Sequence, residues 1–405
     1  MRTTRPLLSS ARSKDALSLL FLGGDAFSIG VLEPLLANKQ ALWKDLLIVT
    51  SGEKQVGRGS RGTRRIVPPL LTYAEERGLE SSTLPPTGFK DWQIPERFLP
   101  HTSNSNPPNP PPSLSTPTSS PSPILITASF GHIIPTPFLK TYFREPYSRL
   151  NVHPSLLPQY RGAAPIQWSI ADSWKVRRGR TGVTVQSLAL GRGKVDCGDV
   201  WAQEGDVEID ERSTYESLLP TLAKRGGEML VSTLQRIRNG TASCYPQPSS
   251  QGEIFRKAGK ISPTTARVDF QTQSAMEVEA RHRAFGFQEP IWTTVQGNPI
   301  QLLECGLSDL EPDSSETGSQ LRSLRPGQAR YDRPNNRLLV RCAYENNLHS
   351  SSYTHSHSQG EDDEMVTVLL EVKRVRQAGK KEMGVRDWWN GLRGVGKGMV
   401  VELGT

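Results

Sequence analysis

No two cysteines in this 405-residue chain are spaced as CxxC, and the four that occur (Cys197, Cys244, Cys305 and Cys342) are scattered. A zinc ribbon and a redox dithiol are therefore excluded, and free thiols in a reducing compartment are expected. No apolar run reaches the roughly 20 residues that cross a bilayer. The run SLLFLG is too short and follows a charged segment, so no membrane partner is expected. Leu22-Gly23-Gly24-Asp25 falls short of GxGxxG, which argues against a dinucleotide cofactor. Internal repeats are missing, and nothing calls for a metal. Acids are missing before Asp15, whereas Arg2, Arg5, Arg12 and Lys14 stand there among Ser and Thr. That composition fits a mitochondrial presequence over residues 1–15 and predicts the mitochondrial matrix.

Hydrophobic residues make up only 35%, low for one compact globule of this length. Unfolded insertions are expected beside the cores. His101 to Pro123 holds eight prolines, seven serines and one aliphatic residue, Leu114. Such a segment cannot bury a core and reads as a disordered insertion. Glu345 to Glu364 reads the same way; its His349, His355 and His357 fit a solvated loop better than a metal site. The net charge of +8 favours a polyanionic partner.

Between these segments, strands and helices alternate. LSLLFL (Leu17–Leu22), LLIVTS (Leu46–Ser51), ILITASF (Ile124–Phe130) and RLNVH (Arg149–His153) read as strands. Gly23-Gly24-Asp25 reads as a turn into a helix, and Ile66 to Gly78 as a further helix. VWAQEGDVEI reads as a strand pair, and TYESLLPTLAKRGGEMLVSTLQRI as a closing helix. This alternation predicts an open α/β sheet over residues 16–240. Residues 241–252 read as a linker by composition. From 253 to 395, RVDF, WTTV, IQLLEC, GQARYD, RLLVRC and TVLLEVKRV predict a small antiparallel barrel, with 396–405 as a tail.

The chemistry concentrates at LNVHPSLLPQYRGAAPIQWSI, Leu150 to Ile170. Side chains alternate along a strand, so Asn151 and His153 share a face. At the C-terminal edge of an open α/β sheet, that face looks into the ligand crevice. An amide there can donate to a carbonyl oxygen and to the oxyanion it becomes. An imidazole there can exchange a proton near neutral pH. Together they suit acyl or formyl transfer to an amine; the alternative is a capped strand end with a satisfied histidine. Ser155-Leu156-Leu157-Pro158 offers two apolar side chains held by a proline, a wall for a flat heterocycle. Arg161 to Ile166 forms a tight loop that lets backbone approach a ligand. Downstream, TGVTVQSLALGRGKVDCGDVW runs strand, turn, strand, with Asp196 in the turn. A carboxylate near the imidazole would orient it and stabilise its protonated form.

NVHPSLLPQYRGAAPIQWSI, with TGVTVQ and VDCGD at this distance, resembles the folate-dependent formyltransferase family. Within it, the likeness is greatest to the branch that formylates methionyl-tRNA. The resemblance implies an open, Rossmann-like, mostly parallel sheet followed by an OB-like β-barrel. It implies 10-formyltetrahydrofolate as co-substrate and Asn151, His153 and Asp196 as the catalytic trio. Asp196 is preferred to Asp199 because the family's residue is the first Asp of its Asp-x-Gly-Asp turn. Ser155, Leu156, Leu157 and Pro158 would line the folate site.

The same fold also serves purine-precursor formylation, nucleotide-sugar formylation and formyl-folate hydrolysis. A non-catalytic RNA-binding relative is a further alternative, against which the intact Asn151, His153 and Asp196 speak. Three features favour initiator methionyl-tRNA as the acceptor of a monomeric enzyme. GEKQVGRGSRGTRR places Lys54, Arg58, Arg61, Arg64 and Arg65 in a glycine-rich loop with no acid after Glu53. It reads as a poor structural element and a good phosphate probe. The carboxy-terminal part resembles the barrel of that branch. Its last strand is basic, with Lys373, Arg374, Arg376, Lys380 and Lys381 adding to an RNA-facing surface.

Overall fold

A computed structural model describes residues 5–6, 16–56, 64–99, 123–175, 179–191, 193–248, 255–309, 320–343, 368–392 and 399–404. At 5–6, 54–56, 64 and 309 the description covers the backbone alone. Residues 101–122 and 345–364, Arg58 and Arg61 lie outside the described residues, as does the amino-terminal basic segment except Arg5–Pro6.

The chain divides into two compact units. One comprises 1–165, 181–207 and 216–258; the other comprises 166–180, 208–215 and 259–405.

The first unit is built on seven strands: β1 Leu17–Gly23, β2 Trp43–Ser51, β3 Ser81–Leu84, β4 Ile124–Ala128, β5 Arg149–His153, β6 Gly179–Ser187 and β7 Val200–Ile209. Their order in the sheet is β7-β6-β5-β4-β1-β2-β3. β5, β4, β1, β2 and β3 are mutually parallel, and β6 runs antiparallel to β5. β1 is buried along its whole length, as a central strand covered on both faces must be.

After β1 the chain turns into helix α1, Ala26–Ala37, capped by the Asp25 carboxylate, which accepts from Ser28 N at 3.2 Å. Gly23 is small because a side chain there would collide with Ser28 and Leu70. Its glycine therefore serves packing. Helix α2 runs Pro69–Glu76, three residues later than the pattern suggests. Pro68 and Pro69 explain the delay, since proline suits a first helical turn and disfavours helix before it. VWAQEGDVEI is one continuous strand, β7, and not a pair. Helix α3 (Thr136–Tyr142) follows β4, and Pro165–Ala171 forms α4. The closing helix, α5, spans Tyr215–Arg238.

Outside the main sheet, Lys54–Val56 and Arg64–Ile66 pair antiparallel. The stem of the basic loop is thus a β-ribbon, against the expectation of a structureless loop. Arg5–Pro6 pairs antiparallel with Ser243–Cys244.

The second unit holds β8 Trp292–Val295, β9 Asn298–Asp309, β10 Gln328–Asp332, β11 Arg337–Val340, β12 Val368–Gln377 and β13 Val401–Glu402. The order is β8-β9-β12-β11-β10-β13. An antiparallel bridge from Val295 to Leu403 joins the first edge to the last, so the sheet closes into an OB-like barrel. RVDF is not one of its strands: only Arg267 bridges, to Trp292. Helix α6, Ala275–Phe285, was not legible among the strand signals, although Ser274 and Glu277 stand at capping-box spacing. Ser274 Oγ accepts from Glu277 N at 3.2 Å. A last short helix, α7, spans Val385–Asn390.

Candidate active site

Three adjacent strands lay one polar row across the sheet. In register, Asn151 of β5 faces Thr127 of β4 on one side and Gln186 of β6 on the other. His153 faces Thr184. Register and the two-residue strand period place these side chains together. Thr127 Oγ1 donates to Asn151 Oδ1 at 2.8 Å. That contact turns the amide so that Nδ2 points the other way, to 3.4 Å from Asp196 Oδ1.

Asp196 arrives from the turn between β6 and β7, with φ of +53°. A non-glycine residue in the left-handed region must be held there by its surroundings. Three donors do so: Gln186 Nε2 reaches Oδ1 at 3.0 Å, Gly162 N reaches Oδ2 at 3.0 Å, and Asn151 approaches as above. Gly198 makes the turn possible, because a Cβ there would stand 1.7 Å from Ser187 O.

His153 is 5% exposed and tethered. Its Nε2 lies 2.9 Å from the Tyr160 carbonyl, which can only accept, so Nε2 carries a proton. In the neutral ring the lone pair is therefore on Nδ1, which faces Asp196 Oδ1 at 3.8 Å. That separation is an ion-pair contact and leaves Nδ1 free of a short hydrogen bond. The nitrogen available for chemistry is Nδ1. One amide donor, one imidazole nitrogen and one carboxylate thus converge within a few ångströms, beside a sheet edge where crevices form.

The SLLP turn is fastened by its backbone. Thr184 Oγ1 accepts from Leu157 N at 3.2 Å and donates to Ser155 O at 2.7 Å, while Gln203 Nε2 donates to Leu157 O at 2.9 Å. Ser155 and Leu157 are buried, and Ser155 Oγ is committed to Gln159 O at 2.7 Å. Leu156 and Pro158 are half-buried. The RGAAPI loop also differs from expectation. Gly162, at φ +128°, packs against the chain itself: a Cβ would meet Ala258 O at 2.3 Å. The close approach lets its N–H reach the Asp196 carboxylate.

Of the basic residues, Lys54 and Arg64 are described by backbone alone, in the ribbon stem. Arg65 is exposed and grips the Glu53 carboxylate through Nε and Nη2. Lys380 and Lys381 are exposed at the turn after β12. Their neighbours on that strand are engaged: Lys373 with Glu371 at 2.7 Å, Arg374 with Glu382 at 2.6 Å, Arg376 with Gln301 at 2.7 Å.

Two family models match this chain: a formyl transferase model over residues 89–234, and a formyl transferase C-terminal domain model over residues 260–393. A methionyl-tRNA formyltransferase of Acidobacterium capsulatum is 32% identical over 307 residues, 75% of this chain and 84% of that protein. The chain belongs to the formyl transferase family. Membership makes it a one-carbon transferase. The mitochondrial methionyl-tRNA formyltransferase of Mus musculus is 32% identical over 219 residues, 54% of this chain and 53% of that one. The N-formyltransferase of Helicobacter canadensis, solved with folinic acid and dTDP-3-aminofucose, superposes with a TM-score of 0.52 at 15% identity. That alignment covers 88% of this chain and 98% of the other, and shows the shared fold.

The formyl transferase unit also bears a cleft of about 480 Å³ lined by Leu84, Phe89, His132, Ile133, Pro137 and Phe138, among others. It stands at the C-terminal ends of β3 and β4 and shares no residue with the Asn151–Asp196 cluster. Ile133 is 84% exposed on its rim. Thr127, Gln186 and Gln247, whose Nε2 donates to Asp196 O at 2.9 Å, are site residues that motif reading missed. Thr127 and Gln186 could have been found by asking which residues oppose Asn151 across the sheet. Gln247 carries no local signal.

Proposed function

We propose that this formyl transferase moves the formyl group of 10-formyltetrahydrofolate to the α-amino group of initiator methionyl-tRNA, in the mitochondrial matrix. The observation that carries the reading is the convergence of Asn151 Nδ2, His153 Nδ1 and Asp196 Oδ1. Support for the acceptor comes from the relatives named above and from the basic ribbon. Support for the compartment comes from the mitochondrial relative and the acid-free first 14 residues.

The folate supplies an activated one-carbon group. Leu156 and Pro158 offer it an apolar wall, while buried Ser155 and Leu157 anchor that wall. As the amine nitrogen bonds to the formyl carbon, the carbonyl pair moves onto oxygen. Asn151 Nδ2–H and the protonated Nδ1–H of His153 stabilise that oxyanion. One such donor is worth about 10²–10³ in rate. Asp196 is the acceptor for the amine proton and balances the imidazolium charge. The oxyanion pair then re-forms the carbonyl as the carbon–N10 bond of the folate breaks, and N10 takes the proton that Asp196 received from the amine.

The experiment is a transfer assay with formyl-labelled 10-formyltetrahydrofolate. Label should enter charged initiator methionyl-tRNA and not uncharged tRNA. Formate release in both tubes would point to a hydrolase, and transfer to an amino sugar nucleotide alone would replace the acceptor.

A further inference from the structure

Gln247 lies in the segment that composition marks as a linker, yet it reaches back to the Asp196 turn. Its segment is strapped in place: Val200 and Tyr245 exchange both backbone hydrogen bonds, at 2.8 and 3.0 Å. From there Gln247 Nε2 donates to Gln186 Oε1 at 3.1 Å, Asp196 O at 2.9 Å and Gly198 O at 2.8 Å. Two hydrogens serve three acceptors, so one is shared. Its Oε1 accepts from Arg161 Nε at 3.0 Å and Nη2 at 2.5 Å.

The directions matter. Arg161 can only donate, so it sets the Gln247 amide with oxygen outward and NH₂ inward. That NH₂ takes Gln186 Oε1, which also accepts from Gly198 N at 3.2 Å. Gln186 must then present its own NH₂ to Asp196 Oδ1. Two further bonds pin the carbonyls on either side of Cys197, in the turn whose left-handed residue is Asp196. We infer that Gln247, set by Arg161, is the positioning residue that fixes Asp196 toward His153 and Asn151. This rests on the reading of Asp196 as a catalytic group.

Gln247→Leu removes the whole network. Gln247→Glu keeps the acceptor for Arg161 and removes the inward donors. In the transfer assay both variants should lower kcat about 10–100-fold, the scale set by a small misplacement of a reacting group. Both KM values should stay within about threefold, and the unfolding midpoint should match the parent. In an Asp196→Asn background, Gln247→Leu should cause no further loss, because the residue acts through Asp196. Equal losses in both backgrounds, a kcat within about threefold of the parent, or failure of both variants to stay folded would overturn the inference. Where Asp196→Asn falls below detection, the split between kcat and KM decides alone. Wild-type turnover by Asp196→Asn would instead overturn the underlying reading, and the inference with it.

Discussion

The floor of the candidate active site and the basic face of the barrel are both polar, and they are built on opposite principles. At Asn151, His153 and Asp196, each polar group is held by several elements of the chain: Thr127, Gln186, Gly162 and Tyr160 each fix one atom. On β12, charges are long, exposed and satisfied pairwise by a neighbouring acid or amide. Chemistry needs atoms placed to a fraction of an ångström, and only converging backbone and buried side chains achieve that. Attraction to a polyanion needs only charge within a screening length, about 8 Å at physiological salt. Substitutions on the floor should therefore act on kcat, and substitutions on the basic face should act on affinity and its salt dependence.

The largest expected effect is on the floor. Asn151→Ala should lower kcat about 10²–10³-fold with little change in KM, the signature of a donor used mainly in the transition state. Steady-state kinetics at saturating folate would show it. A rise in KM alone would make Asn151 a ground-state binder and erase the contrast.

A smaller effect is expected at the turn after β12. Lys380→Ala with Lys381→Ala should weaken tRNA binding and reduce its salt slope by about 1 for each phosphate no longer neutralised. Lys373→Ala should change the slope less, since that ammonium is already paired with Glu371. Filter binding across a salt series separates them. Slopes equal to the parent's in both variants would remove the barrel from the RNA surface.

The smallest effect concerns Asp25, a polar group on the same sheet edge with a structural duty. Burial pushes its carboxyl above the usual range, against hydrogen bonds from Ser129 and Ser28. The folded state therefore binds this proton more readily than the unfolded one. Its contribution to stability falls as pH rises from the usual carboxylate value through the raised one. Asp25→Asn keeps the helix cap and should flatten that slope, whereas Asp25→Ala should lose about 1 kcal/mol by uncapping α1. Denaturant titrations between pH 4 and 7 would test both.

Much of this was legible because it is local. LSLLFL announced a doubly covered strand, and Asn151 and His153 two residues apart announced a shared face. The resemblance carried by SLLP, TGVTVQ and VDCGD named the family that the comparisons then showed. What stayed hidden depends on partners far along the chain. Gly162 is glycine because of Ala258, and Gln186 gains its meaning from Asn151, 35 positions away, and from Gln247, 61 away. Helix α6 was obscured by the strand-like segments on either side, though its Ser274–Glu277 cap was there to read. The ribbon under the basic loop was missed because glycine and arginine dominate GRGSRGTRR, while its stem pairs through Lys54–Val56 and Arg64–Ile66.

The central claim is that His153 Nδ1 acts on the reacting formyl group, beside Asn151 and Asp196, and contributes little to folate binding. Single-turnover formyl transfer by His153→Ala, measured beside equilibrium binding of 10-formyltetrahydrofolate, tests it most directly. The expected result is a transfer rate reduced about 10²–10³-fold, the usual worth of one oxyanion donor, with folate affinity within about threefold of the parent. A near-normal transfer rate, or a decline explained entirely by weakened folate binding, would contradict it.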